Sequence, residues 1–158
     1  MATMPEQKPG RSEQTVGTPW AFIRAVEHRF GPLSLDLAAT FENKKAPSYI
    51  GDGVDSLAYH WAEACPSGNL WLNPPFGKIE PWAQKCFEES RKRRGLILFL
   101  TPASVGSQWY SRWVHGKAFV LALNPRLTFE GHDSVYPKDL ILSVYGIGLP
   151  GFDVWKWA

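Results

Sequence analysis

Residues 69–82 read NLWLNPPFGKIEPW, an apolar run broken by two prolines and followed by the start of a periodic stripe. The run NLWL has the apolar density of a buried strand. Pro74 and Pro75 bring no backbone donor, and each holds the residue before it in extended geometry. The ladder must therefore stop, and no helix can start before Phe76. Beyond the turn, Ile79, Trp82, Ala83, Cys86 and Phe87 recur at helical spacing. That stripe predicts an amphipathic helix running out through Arg91-Lys92-Arg93-Arg94 and ending before Gly95.

The same succession extends to both sides. Thr18 and Pro19 predict a helix start, with Thr18 as N-cap, and Phe22, Ile23, Val26 and Phe30 give its apolar face until Gly31 stops it. LSLDLAA reads as a short buried strand ending at Asp36. TFENKKAPSYIGDGVDSLAYHW reads as loop and short helix. After residue 95 the chain reads as strand LILFL, helix SQWYSRWV, strand AFVLAL, a long loop, and a last strand LILSVYG. Strands alternating with helices predict a mainly parallel sheet with helices on both faces. In such sheets ligands bind beyond the carboxyl ends of the strands, which sets Asp36 and Asn73 on one edge. The polar residues 1–16 are expected to be a disordered leader, and residues 17–158 a single domain.

Composition narrows the class. The 158 residues are 44% hydrophobic and 20% charged, with a formal net charge of +2. That is globular, and mildly compatible with a nucleic-acid partner. No apolar run approaches the roughly 18–20 residues a membrane span requires, so a cytosolic chain with no membrane partner is expected. Two cysteines support neither a disulfide framework nor a zinc knuckle, and four scattered histidines have no metal-ligand spacing. Eight tryptophans read mainly as packing residues.

The turn itself can be mere punctuation. It can equally clamp a flat ligand bearing an amine. Asn73 offers an amide oxygen, and the Pro74 carbonyl, fixed by Pro75, offers a second acceptor. Phe76 can stack on a base, an interaction worth about 1–3 kcal/mol. Two acceptors on an exocyclic amine would pull its nitrogen toward tetrahedral geometry and free the lone pair. Asparagine is no base at neutral pH, so it would position and polarise only.

With these residues in place, the sequence resembles the phage-type DNA N-6-adenine methyltransferase (Dam) family over most of residues 17–130. The resemblance rests on GTPW, LDLAA with ENKKAPSY, DSLAYHW, LWLNPPF, Trp82 and Lys85, LTPAS and PRLTF, in that order. It implies a compact Rossmann-like core, trimmed relative to larger members, and an enzyme dependent on S-adenosyl-L-methionine without a metal. It implies DNA as substrate, methylated on the exocyclic amine of adenine, and a phage or prophage origin. Asn73, Pro74, Pro75 and Phe76 would be the catalytic motif. Thr18, Pro19, Trp20, Asp36, Ala38, Ala39 and Asp55 would bind the donor, with Asp52 a weaker candidate than Asp55. Ala38 and Ala39 stand where larger methyltransferases carry a glycine-rich loop.

Each candidate has a plainer reading. Asp36 can cap a turn, Asp55 can cap a helix, and Trp20 can pack in the core. Arg91, Lys92, Arg93 and Arg94 can be a solvated helix end or can grip phosphates. Arg126 and Phe129 can touch the target or shape the pocket, and Lys85 reads as a surface charge. The same clamp also suits RNA, cytosine or protein glutamine as acceptor, and an idle DNA-binding module would keep the fold without turnover.

Overall fold

A computed structural model describes residues 17–158; the expected leader, residues 1–16, lies outside the described residues. Seven strands form one sheet: β1 (Leu33–Asp36), β2 (Ser48–Tyr49), β3 (Asn69–Leu72), β4 (Ile97–Pro102), β5 (Phe119–Asn124), β6 (Leu140–Tyr145) and β7 (Gly151–Lys156). Their order is β2-β1-β3-β4-β6-β5-β7. Only β6 runs against its neighbours, inserted antiparallel between β4 and β5. The other pairings are parallel, so six strands end on one edge. This is the expected Rossmann-like α/β architecture, and the site is built at that edge.

Side chains alternate across the sheet, as the pleat requires. Leu70, Leu72, Ile97 and Phe99 face one layer, in which α2 (Trp61–Ala64), α3 (Glu80–Ser90) and α4 (Gln108–Trp113) supply Trp61, Ala83, Cys86 and Tyr110. Trp71, Leu98 and Leu100 face the other, covered by Phe22, Ile23 and Val26 of α1 (Trp20–Phe30). Each buried Leu, Ile, Val or Phe among them contributes about 1.5–3 kcal/mol. An irregularity between Leu33 and Leu35 sends these two residues to opposite layers despite their even spacing.

Three expectations change. Pro19, not Thr18, occupies the N-cap of α1, and no side chain caps it. Helix α3 ends at Ser90, so the basic run lies beyond the helix. LILSVYG is not the last strand: β7 follows it and pairs parallel with β5. Its inward residue Trp155 packs near Phe22 and Phe30 of α1.

Candidate active site

The turn after β3 and the loop after β1 emerge side by side because the two strands are parallel neighbours, with Asp36 opposite Trp71. The N-terminal end of α1 completes the site. Gly17, Thr18, Asp36, Ala38, Asn43, Lys45, Trp71 and Asn73 line one recess. It encloses about 10 Å³, room for a single water-sized group.

Two contacts order this recess. The Asn73 side-chain amide donates to Thr18 Oγ1 at 3.0 Å. With its nitrogen committed, Asn73 Oδ1 meets no donor among the described residues, and neither does the Pro74 carbonyl. Two acceptors are thus left open at the strand end. Asp36 is 3% exposed. Its carboxylate accepts from the backbone N–H of Lys45 at 2.9 Å and of Ala38 at 3.3 Å. Burial pushes its carboxyl up from 3.8 to about 7, against those two N–H groups and the Lys45 charge.

The 125–139 loop between β5 and β6 closes the same edge. Tyr136 packs edge-on against both Phe76 and Phe129. Glu130 accepts from Lys45 Nζ at 2.8 Å, and its backbone N–H donates to the Gly17 carbonyl. A methyl on Gly17 would displace the Glu130 carboxylate from its present position.

The profile of the family described as DNA N-6-adenine-methyltransferase (Dam) matches residues 7–139. The chain belongs to the Dam family. That match extends beyond both ends of the expected span. The Dam-family chain is also 26% identical over 121 residues to the DNA N-6-adenine-methyltransferase of Escherichia phage T1, covering 77% of this chain and 49% of the relative. It therefore spans about half the length of that curated relative. Among solved structures it is similar to a predicted O-methyltransferase from Agrobacterium tumefaciens, at 19% identity and a TM-score of 0.32, over 54% of this chain and 40% of that one.

Within this Dam-family chain, the residues singled out from sequence separate into two groups. Asn73, Thr18, Asp36 and Ala38 meet in the recess, and Trp20 reaches it through Lys45, whose ammonium lies 4.3 Å from the Trp20 ring centre. Phe76 is half-buried beside Tyr136. Ala39 is buried, donates to the Ile50 carbonyl and does not line the recess. Opposite the loop after β1, Gly51 lets the backbone pack close, since a methyl there would overlap the Ala39 carbonyl. Asp55 lies outside the recess and caps the 3-10 turn Ser56–Ala58, accepting from Leu57 N at 3.0 Å. Asp52, just past the end of β2, accepts from the Tyr49 hydroxyl.

The basic run sits at the wrong end of the sheet for the turn. Helix α3 carries the chain back 11 residues, about 16 Å at 1.5 Å each, before Arg91 begins. Arg93 is bound internally, donating to the carbonyls of Cys65, Gly68 and Leu96. Arg91 lies over the Phe87 ring, and Lys92 pairs with Glu89. Arg126 pairs with Asp139. Phe129 is 6% exposed and so shapes the loop rather than presenting a stacking surface. Lys85 lies over the Trp61 ring.

Sequence reasoning passed over Lys45, Gly17, Asn43, Trp71 and Glu130. Gly17, Asn43, Lys45 and Trp71 fall within segments that carry the family resemblance, but nothing local distinguishes them, as Lys45 beside Lys44 shows. No group of three or more potential metal ligands occurs among the described residues, and no helix there is long and apolar enough to cross a membrane.

Proposed function

We propose that this chain transfers a methyl group from S-adenosyl-L-methionine to the exocyclic amine of adenine in DNA. One observation carries the reading. Thr18 holds the Asn73 amide by its nitrogen, leaving the amide oxygen and the neighbouring Pro74 carbonyl open as paired acceptors. Asn73 Oδ1 and the Pro74 oxygen take the two amine hydrogens and turn the nitrogen lone pair out of conjugation. Pro75 keeps the carbonyl fixed, and Phe76, braced by Tyr136, offers a ring to the base. Nothing in the turn removes a proton, so the amine loses it to solvent after becoming cationic. Orientation is the main catalytic contribution of these residues. A target within a duplex must first leave the stack.

The recess fits the donor chemically, because a buried carboxylate and a buried ammonium sit beside open amide acceptors. Thr18, Pro19, Trp20, Asp36 and Ala38 would hold the donor, which when bound supplies a methyl on a cationic sulfur. With room inside for only one water-sized group, the donor would lie along the open rim against these side chains. Asp52, three residues beyond β2, joins Asp55 as a candidate for the adenosine end. The work would be done in the bacterial cytoplasm.

The test is incubation with labelled donor and DNA, RNA or protein. Label in DNA adenine is expected; label confined to protein or RNA overturns the acceptor. Asn73→Ala should abolish transfer while donor binding, read by calorimetry, persists. Unchanged turnover in that variant removes the clamp.

A further inference from the structure

Strand β7 stands at one end of the sheet, with no strand on its outer side among the described residues. The N–H groups of Gly151 and Trp157 donate to the carbonyls of Ala118 and Asn124, so the odd-numbered residues direct their backbone at β5. Phe152, Val154 and Lys156 therefore direct theirs outward. Among the described residues the one acceptor these three N–H groups meet is the Asp153 carboxylate, 2.8 Å from the Val154 nitrogen.

An open edge of this kind is a template for another strand. Strand β7 offers six residues in unbroken register with β5. It also leaves apolar side chains uncovered on the face that carries α3 and α4. Phe152 and Val154, beside Val120 and Ala122 of β5, are each 56% exposed. Exposed apolar surface along an unpaired edge marks an interaction site.

The occupant this edge fits is a second copy of itself. Turned about a two-fold axis, the strand meets its own donors and acceptors in antiparallel pairing. Two registers keep most of β7 paired. Centred on Asp153, the two carboxylates would face each other, which opposes pairing. Centred on Val154, Phe152 faces the second copy's Lys156, and Asp153 faces the second copy's Trp155. Arg29 lies over the Trp155 ring at 5.0 Å and pairs with no carboxylate among the described residues. Pairing at Val154 takes over its N–H, releases the Asp153 carboxylate and sets it beside that guanidinium. Both charge matches repeat across the axis.

We infer that β7 joins a second copy of this chain edge to edge, antiparallel and centred on Val154, in one continuous sheet. The two proline turns then open on opposite edges of that sheet.

Analytical ultracentrifugation of the whole chain from about 1 to 100 μM should reveal a monomer–dimer equilibrium, and a monomer throughout overturns the inference. Two substitutions at one exposed position test the register. Phe152→Lys sets like charges opposite each other twice and should weaken dimerisation roughly tenfold or more. Phe152→Glu sets a carboxylate opposite Lys156 and should keep the dissociation constant within about threefold. Equal weakening by both would mean an apolar contact without this register, and no weakening by either would mean another surface; each result overturns the assignment. Should a variant fail to fold, amide hydrogen exchange on the wild-type chain decides. Protection of the Phe152 and Lys156 amides should rise with protein concentration while that of Gly151 stays constant; concentration-independent exchange at all three refutes the pairing.

Discussion

Asp36→Asn should make the chain more stable above pH 7 and a poorer donor binder, and the gain should depend on pH in a defined way. The wild-type carboxyl titrates near 3.8 when unfolded and near 7 when folded. Below 3.8 both states hold the proton and burial costs nothing extra. Between 3.8 and about 7 the folded chain retains a proton that the unfolded chain has released. Stability then falls with rising pH by about 1.4 kcal/mol per unit. Above 7 the penalty is constant at about 4 kcal/mol. Asparagine is neutral at every pH, but its NH2 group meets one of the two backbone N–H groups that the carboxyl accepts, a pH-independent cost of about 1–3 kcal/mol. The variant should therefore be less stable by that amount near pH 4, gain on the wild type up to pH 7, and keep its lead beyond it. Urea unfolding from pH 4 to 9 measures this, because every other titrating group cancels in the difference. A pH-independent difference, or a variant less stable at pH 8, would refute the reasoning. The same variant should bind S-adenosylhomocysteine about tenfold more weakly, the loss of one charge-assisted contact.

Thr18→Val keeps the shape of the side chain but takes away the acceptor that orients Asn73. Turnover should fall about tenfold and stability by about 1–2 kcal/mol, as expected for an unsatisfied half-buried amide; turnover at the wild-type level would show that the amide needs no such support. Arg93→Met removes bonds to three backbone carbonyls and should cost about 2–3 kcal/mol in a denaturation curve. The salt dependence of DNA binding should not change in that variant; a slope smaller by about one would reassign Arg93 to a phosphate.

Where apolar period and breakers agree, the sequence was readable. Helix α1, strands β1 and β3–β6, and the start of α3 follow from spacing and from Gly31, Pro74 and Pro75. Strand β2 has two residues, too few to carry a period. Strand β7 escaped because Val154 and Trp155 are consecutive apolar residues on opposite faces, which hides the alternation, and because five of its six residues are exposed. The end of α3 was overrun for a tertiary reason, since Arg93 leaves the helix to reach carbonyls flanking β3. At the site, residues at strand ends and in the proline turn were legible because topology alone brings them together. The Thr18–Asn73 contact spans 55 positions and the Lys45–Glu130 pair 85. No local pattern reports on partners that distant. Gly51, which lets the Ala39 backbone pack close, likewise belongs to another segment.

The insertion of β6 between β4 and β5 has a consequence for biosynthesis. Strand β5 finds its sheet partners only in β6 and β7, both made after it. While the ribosome is still adding those residues, Val120, Leu121 and Leu123 sit on a strand with neither edge paired. Polypeptides cut short before residue 140 would keep that strand bare, and they should be sticky and quickly degraded rather than partly active. Synthesis of β6 and β7 is thus the step that closes this half of the sheet.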